Sequence, residues 1–181
     1  MLDLTQDYFA LFGLPAAFAV DTALLSERYR GLLATLHPDR FASASDHERR
    51  LSMQASTLVN EAYRTLEDPL ARARYLLQLH SDEVGSDTET TSDAAFLMEQ
   101  MELRETLAEA KGQADPYASV NRVLVHVAEH GQALCQQLEG IFDEPTAAGL
   151  VEARELVRKL QFLDKCRRDA ENLEAEFDDQ L

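Results

Sequence analysis

Apolar residues recur along this chain at three- and four-residue steps, with no convincing alternation of the kind a strand shows, so the predicted elements are helices. A short helix comes first, around Tyr8-Phe9-Ala10-Leu11-Phe12, and ends in the turn Gly13-Leu14-Pro15. Asp21 is placed to cap a second helix, whose Leu25, Tyr29, Leu32 and Leu36 share one face. That helix is expected to end near His37, because the following proline disfavours the α conformation there and Asp39 favours a turn. Ser45 and Glu48 have the spacing of a capping box. They open a third helix with Leu51, Ala55, Leu58, Ala62 and Leu66 on one side. Two apolar faces joined by a loop predict an antiparallel hairpin with His37-Pro38-Asp39 at its tip. Phe9 and Phe12 are available to close its small core.

Asp68-Pro69 starts another apolar helix, with Leu70, Ala73, Leu76, Leu77 and Leu79, expected to connect the two halves and to be buried between them. Residues 80–92 are rich in Ser, Thr, Asp, Glu and Gly and read as a loop and domain boundary. Three long helices are expected beyond it. One spans about Asp93 to Gly112. The second opens at Asp115-Pro116 and carries Val120, Val123, Val127, Leu134, Leu138 and Ile141. The third opens near Asp143-Glu144-Pro145 and carries Leu156, Leu160, Leu163, Ala170 and Phe177. Helices with short connections make a bundle. The expected architecture is all-α: a helical hairpin unit over 1–75, a connecting helix end and acidic loop over 76–92, and a three-helix bundle over 93–181.

Charge changes this picture by setting the two parts against each other. Residues 1–75 hold 8 Lys/Arg against 10 Asp/Glu, a balance of −2, and residues 76–181 hold 9 against 23, a balance of −14. The second part is therefore a poor ligand for nucleic acid or for an anionic membrane. No apolar run approaches the roughly 18 residues of a membrane span, and no secretory or transit signal is evident. Cys135 and Cys166 are too few and too far apart for a disulfide framework, so a reducing, cytoplasmic setting is expected.

Candidate chemistry is sparse. A His37/Asp39 acid–base pair at a hairpin tip has no pocket for a substrate. His126-Val127-Ala128-Glu129-His130 matches the H-x-x-E-H of inverted zinc peptidases, in which the histidines hold zinc and Glu129 would be the base. The apolar stripe of that helix points away from them, a third ligand and a cleft are needed, and two solvated histidines are the expectation, with no resident metal or cofactor. Both cysteines read as small buried hydrophobes. At 100° per residue, the helix after Asp93 puts Phe96, Leu103, Leu107 and Ala110 on a core face. Met98, Met101, Glu105 and Glu109 fall opposite, bordered by Leu97 and Ala108 on one side and Glu102 on the other. An apolar patch rimmed by carboxylates is either a partner surface or a packing contact, within this chain or between copies.

Tyr8-Phe9-Ala10-Leu11-Phe12-Gly13-Leu14-Pro15, the triplet His37-Pro38-Asp39, Asn60-Glu61-Ala62-Tyr63-Arg64-Thr65-Leu66-Glu67-Asp68-Pro69, and Arg72-Ala73-Arg74-Tyr75 stand in this order along the chain. Together these stretches resemble a J-domain. The stretches Ala95–Glu105 and Val157–Lys165 narrow the resemblance to the HscB family, J-type co-chaperones of iron–sulfur cluster assembly. The resemblance implies a non-enzymatic adaptor without a cofactor of its own. It implies docking on a DnaK-type chaperone, HscA, through His37, Pro38 and Asp39, with Arg28, Arg30 and Arg40 nearby. It also implies binding of the scaffold protein IscU through Leu97, Met98, Met101, Glu102, Glu105, Glu109 and Phe162. The second helix carries Gly31-Leu32-Leu33-Ala34 where J-domains are usually more basic, which implies weaker electrostatic steering. A general J-protein for unfolded clients is the second reading.

Overall fold

The structure, a computed structural model, describes residues 5–36, 45–80 and 93–179. Among them every regular element is helical, and the chain divides into two compact units, Met1–His80 and Ser81–Leu181.

The first unit contains α1 (Tyr8–Leu11), α2 (Thr22–Leu36), α3 (Asp46–Glu67) and α4 (Pro69–His80). Asp7 caps α1 by accepting from the Ala10 amide, and the turn beyond α1 closes through Gly13 at φ +63. That left-handed conformation favours glycine. A Cβ there would also come within 3.1 Å of the Arg28 guanidinium. Asp21 accepts from the Ala23 and Leu24 amides at the start of α2, as its position in the sequence predicts. The Ser45–Glu48 capping box forms at the start of α3. Phe9, Phe12, Leu25 and Leu66 have almost no exposed surface and form the centre of this core.

The buried stripe of α3 is Ser52, Ala55, Val59, Ala62 and Leu66, whereas Leu51 and Leu58 lie half-buried at its edge. A hydroxyl can occupy this stripe because Ser52 Oγ donates to the Leu36 carbonyl at 2.9 Å, so its desolvation is compensated. A polar cluster contributes to the α2–α3 seam as well. Tyr29 and Tyr63 stack at 4.0 Å, and Tyr29 donates to Asn60 Oδ1.

Arg72 is the unexpected core residue. It is 6 % exposed and donates to three main-chain carbonyls: Leu66 at 2.7 Å, Phe18 at 2.6 Å and Glu67 at 3.1 Å. Two of these acceptors are carbonyls left over at the end of α3, where a helix lacks internal donors. A cation there also suits the helix dipole.

The second unit contains α5 (Ala94–Glu109), a 3₁₀ turn (Ala110–Gly112), α6 (Pro116–Asp143) and α7 (Ala147–Asp178). Each long helix has a side-chain cap. Asp93 accepts from Ala95 and Phe96, Asp115 from Ala118, and Thr146 from Gly149. Thr146 thus opens the last helix. Asp143, expected near that start, is the final residue of α6. The core is built from Val120, Val123, Val127, Leu134 and Leu138 of α6 against Leu156, Leu160, Leu163, Ala170 and Phe177 of α7. Phe142, not Ile141, fills the last buried position on α6.

Candidate functional site

α5 is the shortest long helix of the bundle and is apolar on two opposite sides. Phe96, Leu103 and Ala110 are buried, as the periodicity predicts, and Leu107 is half-buried. Across the helix, Met98 is 65 % and Met101 69 % exposed, and Leu97 at their border is 36 % exposed. Glu102, Glu105 and Glu109 are all exposed around them. The capping of Asp93 fixes where α5 begins and hence which way these side chains face. Lys159 of α7 holds that cap, with Nζ 2.5 Å from Asp93 Oδ2 and 5.4 Å from the centre of the Phe96 ring. The Lys159 hydrogen bond, supported by the Phe96 amide, keeps the Asp93 carboxyl below its ordinary range.

Phe162 differs from its neighbours in the patch. It is half-buried, with its ring edge-on to Phe96 at 5.7 Å and the Arg104 guanidinium 5.1 Å from its centre. Its ring therefore forms part of the contact between α7 and α5 as well as part of the surface. Arg104 was not singled out from the sequence. It stands seven residues after Leu97, on the same side of α5, and that spacing was the available signal.

At the other candidate surface, Arg28 and Arg30 are exposed on α2. Two residues apart, they leave the helix on different sides, and Arg30 Nε turns back to the Ser26 carbonyl at 3.2 Å. His37, Pro38, Asp39 and Arg40 lie outside the described residues. The last described position before them is Leu36, whose carbonyl Ser52 holds.

The H-x-x-E-H helix is α6. Its histidines are not simply solvated: His126 Nε2 and His130 Nδ1 each lie 2.6 Å from Glu99 Oε1 of α5. The third ligand-type group that the sequence left missing is therefore present, on a different helix. Glu129, the base of the peptidase reading, is exposed and stands apart from this trio. Cys166 is 2 % exposed, and burial pushes its thiol up to about 11, so it behaves as a core residue. Cys135 is half-buried. No described helix is long and apolar enough to cross a membrane.

Residues 92–171, which contain α5, α6 and most of α7, match the family model described as the HSCB C-terminal oligomerisation domain. A co-chaperone protein HscB homolog from Aromatoleum aromaticum is 44 % identical over 173 residues, covering 94 % of this chain and 95 % of the relative. Among solved structures, the chaperone HscB from Vibrio cholerae superposes with a TM-score of 0.82 at 38 % identity, covering 95 % of this chain and 99 % of that one. The human co-chaperone protein HscB gives 0.83 at 34 % identity, over 93 % of this chain and 82 % of that one. With identity at this level across both units, and the same all-α fold, the chain belongs to the HscB family of co-chaperones.

Proposed function

We propose that this protein is an adaptor of iron–sulfur cluster assembly that brings the scaffold protein IscU to the DnaK-type chaperone HscA and stimulates its ATP hydrolysis. Residues 1–75 act as the J-domain and residues 93–181 as the scaffold-binding bundle, with 76–92 between them. His37, Pro38 and Asp39 contact the chaperone, assisted by Arg28, Arg30 and Arg40. The Asp39 carboxylate accepts charge-assisted hydrogen bonds from the partner. Leu97, Met98, Met101 and Phe162 form the apolar centre of the scaffold site, and Glu102, Glu105 and Glu109 form its rim. Hydrolysis closes the chaperone on IscU and promotes release of the cluster to acceptors. The adaptor itself uses no nucleotide.

The observation that carries this reading is the second apolar side of α5. Two methionines about two-thirds exposed stand opposite the face that buries Phe96 and Leu103, with Glu102, Glu105 and Glu109 exposed beside them. An unbranched, polarizable side chain suits an adaptable contact, and a patch with a charged rim suits a folded partner. A steady-state ATPase assay with the chaperone, run alongside titration of IscU, tests it. His37→Gln is expected to abolish stimulation while leaving scaffold binding nearly unchanged, and Asp39→Asn should behave alike. Full stimulation by both variants would overturn the assignment. Broad affinity for unfolded apolar peptides without binding of folded IscU would favour the general J-protein instead.

A further inference from the structure

Glu99, His126 and His130 are brought together by two helices and take no part in the function proposed above. His126 and His130 lie one turn apart on α6 and turn different ring nitrogens, Nε2 and Nδ1, toward one point. Glu99 of α5 places a carboxylate oxygen 2.6 Å from each. The three potential ligand atoms all lie within 4.8 Å of one another. We propose that Glu99, His126 and His130 form a binding site for a single divalent first-row transition cation of the zinc class, joining α5 to α6.

The donor set points to that class of ion. Two imidazoles and a carboxylate suit zinc and its first-row neighbours, whereas magnesium and calcium take oxygen ligands almost alone. Zinc binds imidazole nitrogen at about 2.0–2.1 Å and carboxylate oxygen at about 2.0–2.2 Å. Around a tetrahedral ion such ligand atoms stand roughly 3.3 Å apart, so the carboxylate oxygen must retreat by well under about 1 Å from its hydrogen-bonded position. The Phe96 ring meets His130 edge-on at 5.9 Å and limits how that imidazole turns. Orientation of a ligating histidine by its neighbours is what a metal site requires. The His126 side chain is 48 % exposed, so an ion has a path in, and a fourth position stays open to water or to a partner's ligand. The balance of −14 over residues 76–181 raises the local concentration of cations. Glu99 Oε1 also stands within hydrogen-bond distance of both imidazoles, so the three groups are already gathered at one point.

Calorimetric titration of zinc chloride into the full chain, prepared without a histidine tag and cleared of metal with chelator, tests the proposal. One zinc per chain is expected, with a dissociation constant below about 100 μM and no competition from millimolar magnesium. His126→Ala combined with His130→Ala should weaken binding at least about tenfold, as should Glu99→Gln, which keeps a hydrogen-bond acceptor and loses a charged ligand. Zinc should raise the Tm of the parent more than that of these variants at the same concentration, since an ion held by the native state stabilises it in proportion to its affinity. If the double variant melts too low to be read, His130→Gln and Glu99→Gln serve in its place. Equal zinc affinity in the parent and in folded variants would place the metal on other histidines or cysteines and overturn the assignment, as would no saturable binding by the parent.

Discussion

Replacing Arg72 with Leu should be the most damaging single change in the first unit. The guanidinium supplies hydrogen bonds to the Leu66, Phe18 and Glu67 carbonyls, and its central carbon lies 5.4 Å from the Phe18 ring centre. A hydrogen bond to a charged group contributes about 1.5–3 kcal/mol, and a buried acceptor left unsatisfied costs about 1–3 kcal/mol. Those gains are offset in part, because leucine no longer carries a charge into the interior. The net loss is expected to be on the order of 3 kcal/mol or more, from three main-chain acceptors left without their donor. For a unit of this size each kcal/mol corresponds to roughly 4–8 °C in Tm, so the drop should exceed about 12 °C. Tyrosine fluorescence reports it selectively, because Tyr8, Tyr29, Tyr63 and Tyr75 lie in the first unit, only Tyr117 lies in the second, and the chain has no tryptophan. Arg72→Lys should recover less than half of the loss, since one ammonium cannot spread over three carbonyls as a planar fork does. A Tm for Arg72→Leu within about 3 °C of the parent would mean that water replaces the guanidinium at all three acceptors, and the reasoning would fail.

Further outcomes follow from particular contacts. Ser52→Ala should cost about 1 kcal/mol and speed hydrogen exchange at the end of α2, because the Leu36 carbonyl loses its donor. Leu97→Ala with Met101→Ala should melt within a few degrees of the parent, since no cavity is made. The same pair should weaken IscU binding at least about tenfold in calorimetry. Phe162→Ala should cost about 1–2 kcal/mol of stability, measured by denaturant titration, through loss of its contacts with Phe96 and Arg104. Because burial raises the Cys166 thiol to about 11, its contribution to stability is complete below the ordinary thiol range and declines as pH climbs toward that value. Cys166→Ser or Cys166→Ala should flatten that alkaline decline in pH-dependent melts, and native Cys166 should react with alkylating reagent far more slowly than Cys135.

The helices and most of their starts were legible in the sequence because both signals are local, although the last helix opens at Thr146 and not at Asp143. The Ser45–Glu48 box, Asp21 and Asp115-Pro116 act within one turn, and a three- or four-residue apolar step needs no knowledge of what lies across it. The same periodicity separated the buried Phe96 and Leu103 from the exposed Met98 and Met101, and the family resemblance rested on contiguous motifs. Tertiary structure decided what depended on a neighbouring element. Ser52 could enter the α3 stripe only because the Leu36 carbonyl stood opposite it. An arginine at position 72 reads as surface until three carbonyls converge on it. The peptidase-like motif gave Glu129 as a base and left a third ligand missing, and it was the packing of α5 on α6 that brought Glu99 to the two histidines. Glu99 and His130 are 31 residues apart, and no spacing rule along one helix can join them. Phe162 likewise became half-buried because Phe96 and Arg104 reached it from α5, a contact that depends on how two helices cross and not on the order of residues in either.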